Sequence, residues 1–227
     1  MSELVLDLQD IQFTYPSQKH PTLQIPEFQI RQSEKIFLFG PSGKGKSTLL
    51  EIIAGVLLPQ KGNLKILQKD VLKLSPSERD AFRADHLGYI FQTFNLLPYL
   101  TVKENIQLSW SFSKRRQSKV EDVDDEISRL CEKLGLSAFQ YSRIDQLSIG
   151  QQQRAAAARA FLGHPELILA DEPTSSLDYD HREKFIQLMF EVCEKEGSSL
   201  LFVSHDRSLE KLFDRSVSLA EINQAVL

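Results

Sequence analysis

The 227-residue sequence predicts an α/β fold with a parallel core, an N-terminal antiparallel β subdomain and an inserted helical subdomain. Three observations carry that expectation. Short β-like runs broken by prolines open the chain. Apolar strand patterns then alternate with helical ones at both ends of the remaining sequence. Between them, from about Thr93 to Leu162, apolar residues recur at helical spacing.

In chain order, Leu4 to Leu8, Ile11 to Tyr15 and Phe28 to Ile30, punctuated by Pro16, Pro21 and Pro26, predict an antiparallel flap. Ile36-Phe37-Leu38-Phe39 predicts a strand, and Thr48 to Ala54 a helix. The turn Pro59-Gln60-Lys61-Gly62 introduces a strand at Asn63 to Leu67, which is expected to begin the α/β core. Val123, Ile127, Leu130 and Leu134 stand three and four residues apart, as on one face of a helix. Strand patterns return at Leu167 to Ala170 and Leu200 to Val203, with a helix from about Asp180 to Glu196 between them. The chain reads as one interrupted unit over 1–227. Core and flap come from about 1–92 and 163–227, and the helical subdomain from about 93–162.

The bulk properties exclude some function classes. At 41% apolar and 26% charged residues, the composition is that of an ordinary globular chain rather than a disordered or membrane-embedded one. A formal charge of −4 gives no basic surface, so nucleic acid is not an expected partner. Cys131 and Cys193 lack metal or redox spacing and read as reduced, half-buried thiols. The first residues have neither a basic segment nor an apolar core of signal-peptide type, and no run approaches the ~20 apolar residues of a membrane span. A cytoplasmic location is expected, with any membrane part supplied by another chain. The sharpest charge contrast is Lys114-Arg115-Arg116 ahead of Glu121 to Glu126. It reads as a solvated loop followed by acids at a helix N-terminus; the alternative is a basic segment touching lipid headgroups or an acidic partner.

Between that first core strand and its helix the chain runs Gly40-Pro41-Ser42-Gly43-Lys44-Gly45-Lys46-Ser47-Thr48, which satisfies G-x-x-x-x-G-K-[ST] in the strand–loop–helix setting the pattern requires. Glycines at 40, 43 and 45 permit positive φ, turning backbone N–H groups inward to make an anion site at the positive end of the following helix. Lys46 adds a point charge for the outer phosphates, and the Ser47 hydroxyl is suited to Mg²⁺. Nucleotide binding follows. Lys44 places a second ammonium beside Lys46; it either strengthens phosphate attraction or projects into solvent, and the second is expected.

Leu167 to Ala170 ends in Asp171-Glu172, adjacent carboxylates at a strand's C-terminal edge, where α/β proteins bind ligands. Alone the pair fits turn acids as well as functional ones. After a phosphate loop, Asp171 is suited to hold Mg²⁺, and Glu172 to orient, or take a proton from, a water attacking the γ-phosphate.

Leu147-Ser148-Ile149-Gly150-Gln151-Gln152-Gln153-Arg154 precedes an alanine-rich helix expected from Ala155 to Ala160. By itself this is an N-cap serine and a polar helix face. With the motifs above, the chain resembles an ATP-binding-cassette (ABC) ATPase, and the matches cover nearly its whole length. The resemblance implies that Ser148, Gly150 and Gln151 complete the ATP site of a second cassette, most simply a second copy. Ile149 stands in place of the usual glycine and is expected to be β-like in conformation. The resemblance further implies that Tyr15 stacks on adenine. Gln92 would reach Mg²⁺ and the attacking water while coupling the site to the helical subdomain. Ser176-Leu177-Asp178 would cross the dimer interface, and His205 would contact the γ-phosphate.

The stretch Phe91-Gln92-Thr93-Phe94-Asn95-Leu96-Leu97-Pro98-Tyr99-Leu100-Thr101-Val102-Lys103-Glu104-Asn105 is similar to the LolD and MacB branch. That branch implies an integral membrane, permease-like partner with few spanning helices, and export, lipoprotein handling or mechanical work driven by ATP from the cytoplasmic face. Ser175-Ser176 replaces the Gly-Asn of many members, which weakens an assignment to lipoprotein release itself. The alternative implied by the family is a non-transport regulator acting on a membrane scaffold or sensor. A soluble translation or repair cassette is disfavoured, because those are tandem or carry long coiled-coil insertions.

Overall fold

The computed structural model describes residues 3–175, 177 and 179–225, with Tyr179 and Asp180 described by backbone alone. In chain order the elements are β1 (Leu4–Phe13), β2 (Leu23–Arg31), β3 (Lys35–Phe39), α1 (Lys46–Ile53), β4 (Lys61–Ile66), β5 (Lys69–Asp70), α2 (Pro76–His86), β6 (Leu87–Ile90), α3 (Val102–Ser111), α4 (Lys114–Lys119), α5 (Val123–Lys133), α6 (Ile149–Phe161), β7 (Leu167–Asp171), α7 (Tyr179–Glu196), β8 (Ser199–Ser204), β9 (Arg215–Ser218) and α8 (Leu219–Ile222). They form two compact units, one from 1–83 with 199–227 and one from 84–198.

The first unit contains an antiparallel sheet in the order β2-β1-β4-β5 and a parallel set in which β3 pairs with β8 on one side and β9 on the other. The two opening runs, Leu4 to Leu8 and Ile11 to Tyr15, are one strand. Asp10 takes a left-handed φ of 52° and the pairing with β4 shifts register between Gln9 and Gln12, so β1 continues through a bulge. Gly62 makes that bulge passable. Its φ is 105°, and a Cβ there would lie 2.6 Å from the carbonyl oxygens of Gln9 and Asp10. The strand expected at Asn63 to Leu67 runs from Lys61 to Ile66 and belongs to this antiparallel sheet, not to the parallel core. β3 and β8 read Lys-Ile-Phe-Leu-Phe and Ser-Leu-Leu-Phe-Val-Ser, and both are almost wholly buried, the near-continuous apolar pattern of parallel strands covered on two faces. Phe37, Phe202 and Phe213 pack with ring centroids 5.2 to 6.2 Å apart.

In the second unit β6 and β7 pair in parallel, Ile90 opposite Ala170, and α6 packs on β6 while α3 packs on α6. Its helices start as their sequences require. Thr101 and Glu104 form a reciprocal capping box on α3. On α5, Asp122 accepts from Asp124 N and Asp125 N at 2.8 and 3.1 Å, and Asp124, Asp125 and Glu126 occupy the first turn, where the helix dipole favours them. Ile127, Leu130 and Leu134 are buried as the spacing predicts.

The basic triplet corrects the sequence reading. It opens helix α4 rather than a solvated loop. Arg116 is only 2% exposed and donates to the carbonyls of Leu162 and Leu87 at 2.8 and 2.5 Å; burial brings its pKa down to about 10. Arg115, Lys119 and His86 converge on Glu166. Burial alone would raise that carboxyl, but contact with His86 and Lys119 outweighs it and holds the group at about 2. Both cysteines are buried rather than half-buried, and desolvation pushes the Cys131 thiol up to about 11, an inert state.

Candidate functional site

The phosphate-loop motif occupies the turn between β3 and α1 in the first unit. Gly43 and Gly45 have φ of 75° and 100°, the left-handed values the turn demands. Gly40 does not have a positive φ. Its glycine answers to packing instead, since a Cβ would come 3.2 Å from Leu219 Cβ. At Gly45 a Cβ would meet Leu23 Cδ2 at 2.8 Å, so this position combines a conformational and a steric requirement. Gly45 is also the N-cap of α1 and brings no side-chain oxygen to the first-turn amides, the arrangement that suits an external anion.

Lys46 is buried and folds over the turn, donating from Nζ to Gly40 O at 2.9 Å and Pro41 O at 3.1 Å. Its ammonium therefore lies at the loop's own carbonyls, where bound phosphate would compete for it. Ser47 is exposed, as are Pro41, Ser42 and Lys44, the last in agreement with its expected solvent position. Thr48 is buried, and its hydroxyl lies 3.0 Å from Tyr15 Oη. The Tyr15 ring packs edge-on to Phe13 at 4.8 Å, so the aromatic residue is fixed to the helix that follows the loop.

His205 follows Ser204, the end of β8. Parallel register places Phe39 opposite Ser204, so Gly40 and His205 leave the same sheet edge side by side. Asp206 fixes the turn beyond His205: its backbone N–H donates to Ser204 Oγ at 3.1 Å, and its carboxylate accepts from Ser208 N and Oγ.

The second unit collects Gln92, Asp171, Glu172, Ser148, Gly150 and Gln151. Ile90 pairs with Ala170, so Gln92 and the two acids leave the β6–β7 edge together. Asp171 is 9% exposed. Glu172 is half-buried with φ 46°, a left-handed conformation that costs a non-glycine residue roughly 1–2 kcal/mol and turns the chain sharply off the strand. Its carbonyl accepts from Ser175 N, closing the turn that follows. Gln92 is exposed.

Ser148 caps α6, with the Gln151 side chain completing a reciprocal box: Ser148 N donates to Gln151 Oε1 at 2.8 Å. Ile149 is the first residue of the helix and not β-like, because a capped first turn imposes helical dihedrals on it whatever its β-branch prefers. Its side chain is 53% exposed. Gly150 lies beside Leu177, a Cβ there being 3.5 Å from Leu177 Cδ2. The helix start thus adjoins Leu177. Ser176 and Asp178 lie outside the described residues.

The donor chemistry of the predicted set fits its ligands. Glycine turns at an uncapped helix N-terminus and a lysine suit a polyphosphate, and the hydroxyl, amide and carboxylate oxygens of Ser47, Gln92 and Asp171 are the hard donors that Mg²⁺ takes. A different cluster, Glu126, His164 and Glu196, brings ligand atoms within 4.8 Å of one another. Arg129 donates to both glutamates there, at 2.8 Å to Glu126 Oε2 and 2.6 Å to Glu196 Oε1, which makes the group an internal ion network.

Comparison with known proteins gives one family. The model described as "ABC transporter" matches residues 23–175, a span that begins before the phosphate loop and reaches past Glu172. The lipoprotein-releasing system ATP-binding protein LolD of Hydrogenovibrio crunogenus is 33% identical over 97% of this chain and 96% of its own length. The macrolide export ATP-binding/permease protein MacB of Rhodopirellula baltica is 35% identical over 88% of this chain, which spans 29% of that longer protein. Among solved structures, the ATP-binding cassette MJ0796, a dimer in a post-hydrolysis state with ADP and Pi, superposes with a TM-score of 0.84 at 33% identity, over 94% of this chain and 93% of its own. The chain belongs to the ABC transporter family and is an ATPase cassette of that family, with the α/β nucleotide-binding fold its relatives share.

Proposed function

We propose that this ATPase drives a membrane system of the LolD and MacB kind, in which closure of two cassettes on ATP does mechanical work on an integral membrane partner from the cytoplasmic face. The observation that carries the reading is the end-to-end likeness to a LolD protein, 97% of one chain against 96% of the other. The solved dimeric relative supports pairing of two cassettes. Among the described residues no helix is long and apolar enough to cross a membrane, in keeping with a separate membrane chain.

In this reading the amides of residues 40–48 hold the polyphosphate, Lys46 exchanges its loop carbonyls for phosphate oxygens, and Tyr15 lies against the base. Ser148, Gly150 and Gln151 face the phosphates bound by the other cassette, with Asp178 at the dimer interface. Mg²⁺, held by Ser47, Gln92 and Asp171, would neutralise charge on the outer phosphates. Glu172 accepts a proton from water as its oxygen bonds to the γ-phosphorus, the bond to the bridging oxygen breaks, and ADP and phosphate result. Gln92 orients that water, and His205 donates a hydrogen bond to the γ-phosphate. Loss of the γ-phosphate removes the bridge between cassettes and lets them part.

The test is affinity capture of the Glu172→Gln chain from membranes in ATP and Mg²⁺, followed by mass spectrometry. A stoichiometric partner with few spanning helices and a large external domain is expected. A partner with the full helix set of a conventional transporter, or no integral membrane partner, overturns the assignment.

A further inference from the structure

Gln92 stands in a turn whose backbone is held in place from another element. Phe94 N donates to Phe91 O at 2.9 Å, so Gln92 and Thr93 are the two central residues of a closed turn. That turn ends in two consecutive left-handed residues, Phe94 with φ 61° and Asn95 with φ 48°. Asparagine tolerates such a value; a bulky phenylalanine does so at a cost. A sequence this strained keeps its shape only where neighbours determine it.

Arg159, on α6, supplies the determination. Its guanidinium donates from one terminal nitrogen to Asn95 O and from the other to Phe94 O, both at 2.6 Å, engaging the two strained peptides with one planar fork. Among the described residues Arg159 enters no ion pair. Burial lowers its pKa, and the desolvated cation directs its side-chain hydrogen bonds to these two carbonyls, which makes the interaction correspondingly strong. The surroundings are fixed as well. Ser109 Oγ donates to Arg159 O at 2.7 Å, and the Asn105 side chain both accepts from Leu97 N and donates to Leu97 O, at 2.8 and 3.1 Å. The Phe94 ring is buried, which pins the far end of the turn.

We propose that Arg159 is a positioning residue for ATP hydrolysis: its clamp on Phe94 and Asn95 fixes the turn that presents Gln92, and ties that turn to the helix whose N-terminus carries Ser148. The inference rests on the reading of Gln92 given above. Without the fork, Phe94 and Asn95 relax toward negative φ and the preceding turn reorients. Gln92 then loses its aim, while the phosphate-loop residues that bind nucleotide keep theirs. The same rod-like helix thus carries a phosphate-facing serine at one end and the clamp about three turns along it.

The experiment compares purified full-length Arg159→Ala, Arg159→Lys and Gln92→Ala chains for kcat and KM with ATP and Mg²⁺, and follows amide hydrogen exchange over residues 91–97. Arg159→Ala is expected to lower kcat by roughly tenfold to a hundredfold, the scale for a displaced reacting group, with KM little changed and faster exchange confined to 91–97. Arg159→Lys should fall between, since an ammonium lacks the fork, and it decides the matter should the alanine variant not fold. Adding Asn95→Gly to Arg159→Ala should recover part of kcat, because glycine takes the left-handed region without strain. Wild-type kcat and exchange in the arginine variants overturn the clamp while leaving Gln92 its role. A loss of kcat in Arg159→Ala with none in Gln92→Ala overturns the reading of Gln92 on which the proposal stands.

Discussion

Gly88 on β6 lies directly against the carbonyl oxygen of Ala160 on α6. A methyl group built on Gly88 would overlap that oxygen and come 2.5 Å from Ile168 Cδ1. Helix α6 therefore sits on the strand leading to Gln92 at the closest distance two backbones permit, and Gly88→Ala is expected to force them apart. The cost should be about 1–3 kcal/mol, as for other overpacked interiors, read as a lower urea midpoint. An unchanged midpoint would show that the interface has slack.

Arg116 holds two carbonyls that the fold leaves inside. Replacing it with methionine preserves much of the volume but strands Leu87 O and Leu162 O, each worth about 1–3 kcal/mol when buried without a donor. A loss of roughly 3 kcal/mol or more in equilibrium unfolding is expected. A smaller loss than Gly88→Ala would mean that water replaces the guanidinium.

Glu166 makes stability depend on acid in a defined direction. Its folded pKa of about 2 lies below its ordinary 4.5, so its contribution is full above pH ~4.5 and disappears as pH falls toward 2. Allowing for solvent screening, that contribution is on the order of 2 kcal/mol. Glu166→Gln should unfold more easily than the parent near neutrality, and the gap should close with falling pH. A gap that stays constant would remove the ion network from the account.

Glu172→Gln should retain ATP binding and slow turnover by roughly 10²–10⁴-fold, the range for a lost general base. Steady-state phosphate release measures the rate, and light scattering with ATP present reads the dimer that slow hydrolysis should preserve. Undiminished turnover would take the base role from Glu172.

The residues legible in the sequence were those whose chemistry is local. Gly43, Gly45, Lys46 and Ser47 announce themselves because a phosphate turn is made by consecutive residues, and Ser148 because a cap needs only its own first turn. Strand β4 is legible as a strand while its sheet is not: its apolar pattern states that one face is covered, not by what. Arg116 was unreadable, since a basic triplet looks the same whether its guanidinium meets water or the carbonyls of residues 29 and 46 positions away. Arg159 was hidden for the same reason, its acceptors being backbone atoms that carry no sequence signal.

Strand β3, which delivers the chain to the phosphate loop, has β8 on one flank and β9 on the other. During synthesis it emerges early and waits for both neighbours. At ordinary elongation rates roughly ten to forty seconds separate the loop's appearance from the arrival of Ser218, and through that interval the first unit's parallel sheet lacks at least one partner of its central strand. Full pairing of the strand beneath the loop is consequently a late event. A chain stopped before Arg215 therefore holds the complete phosphate-loop motif on a strand that still has one flank unpaired.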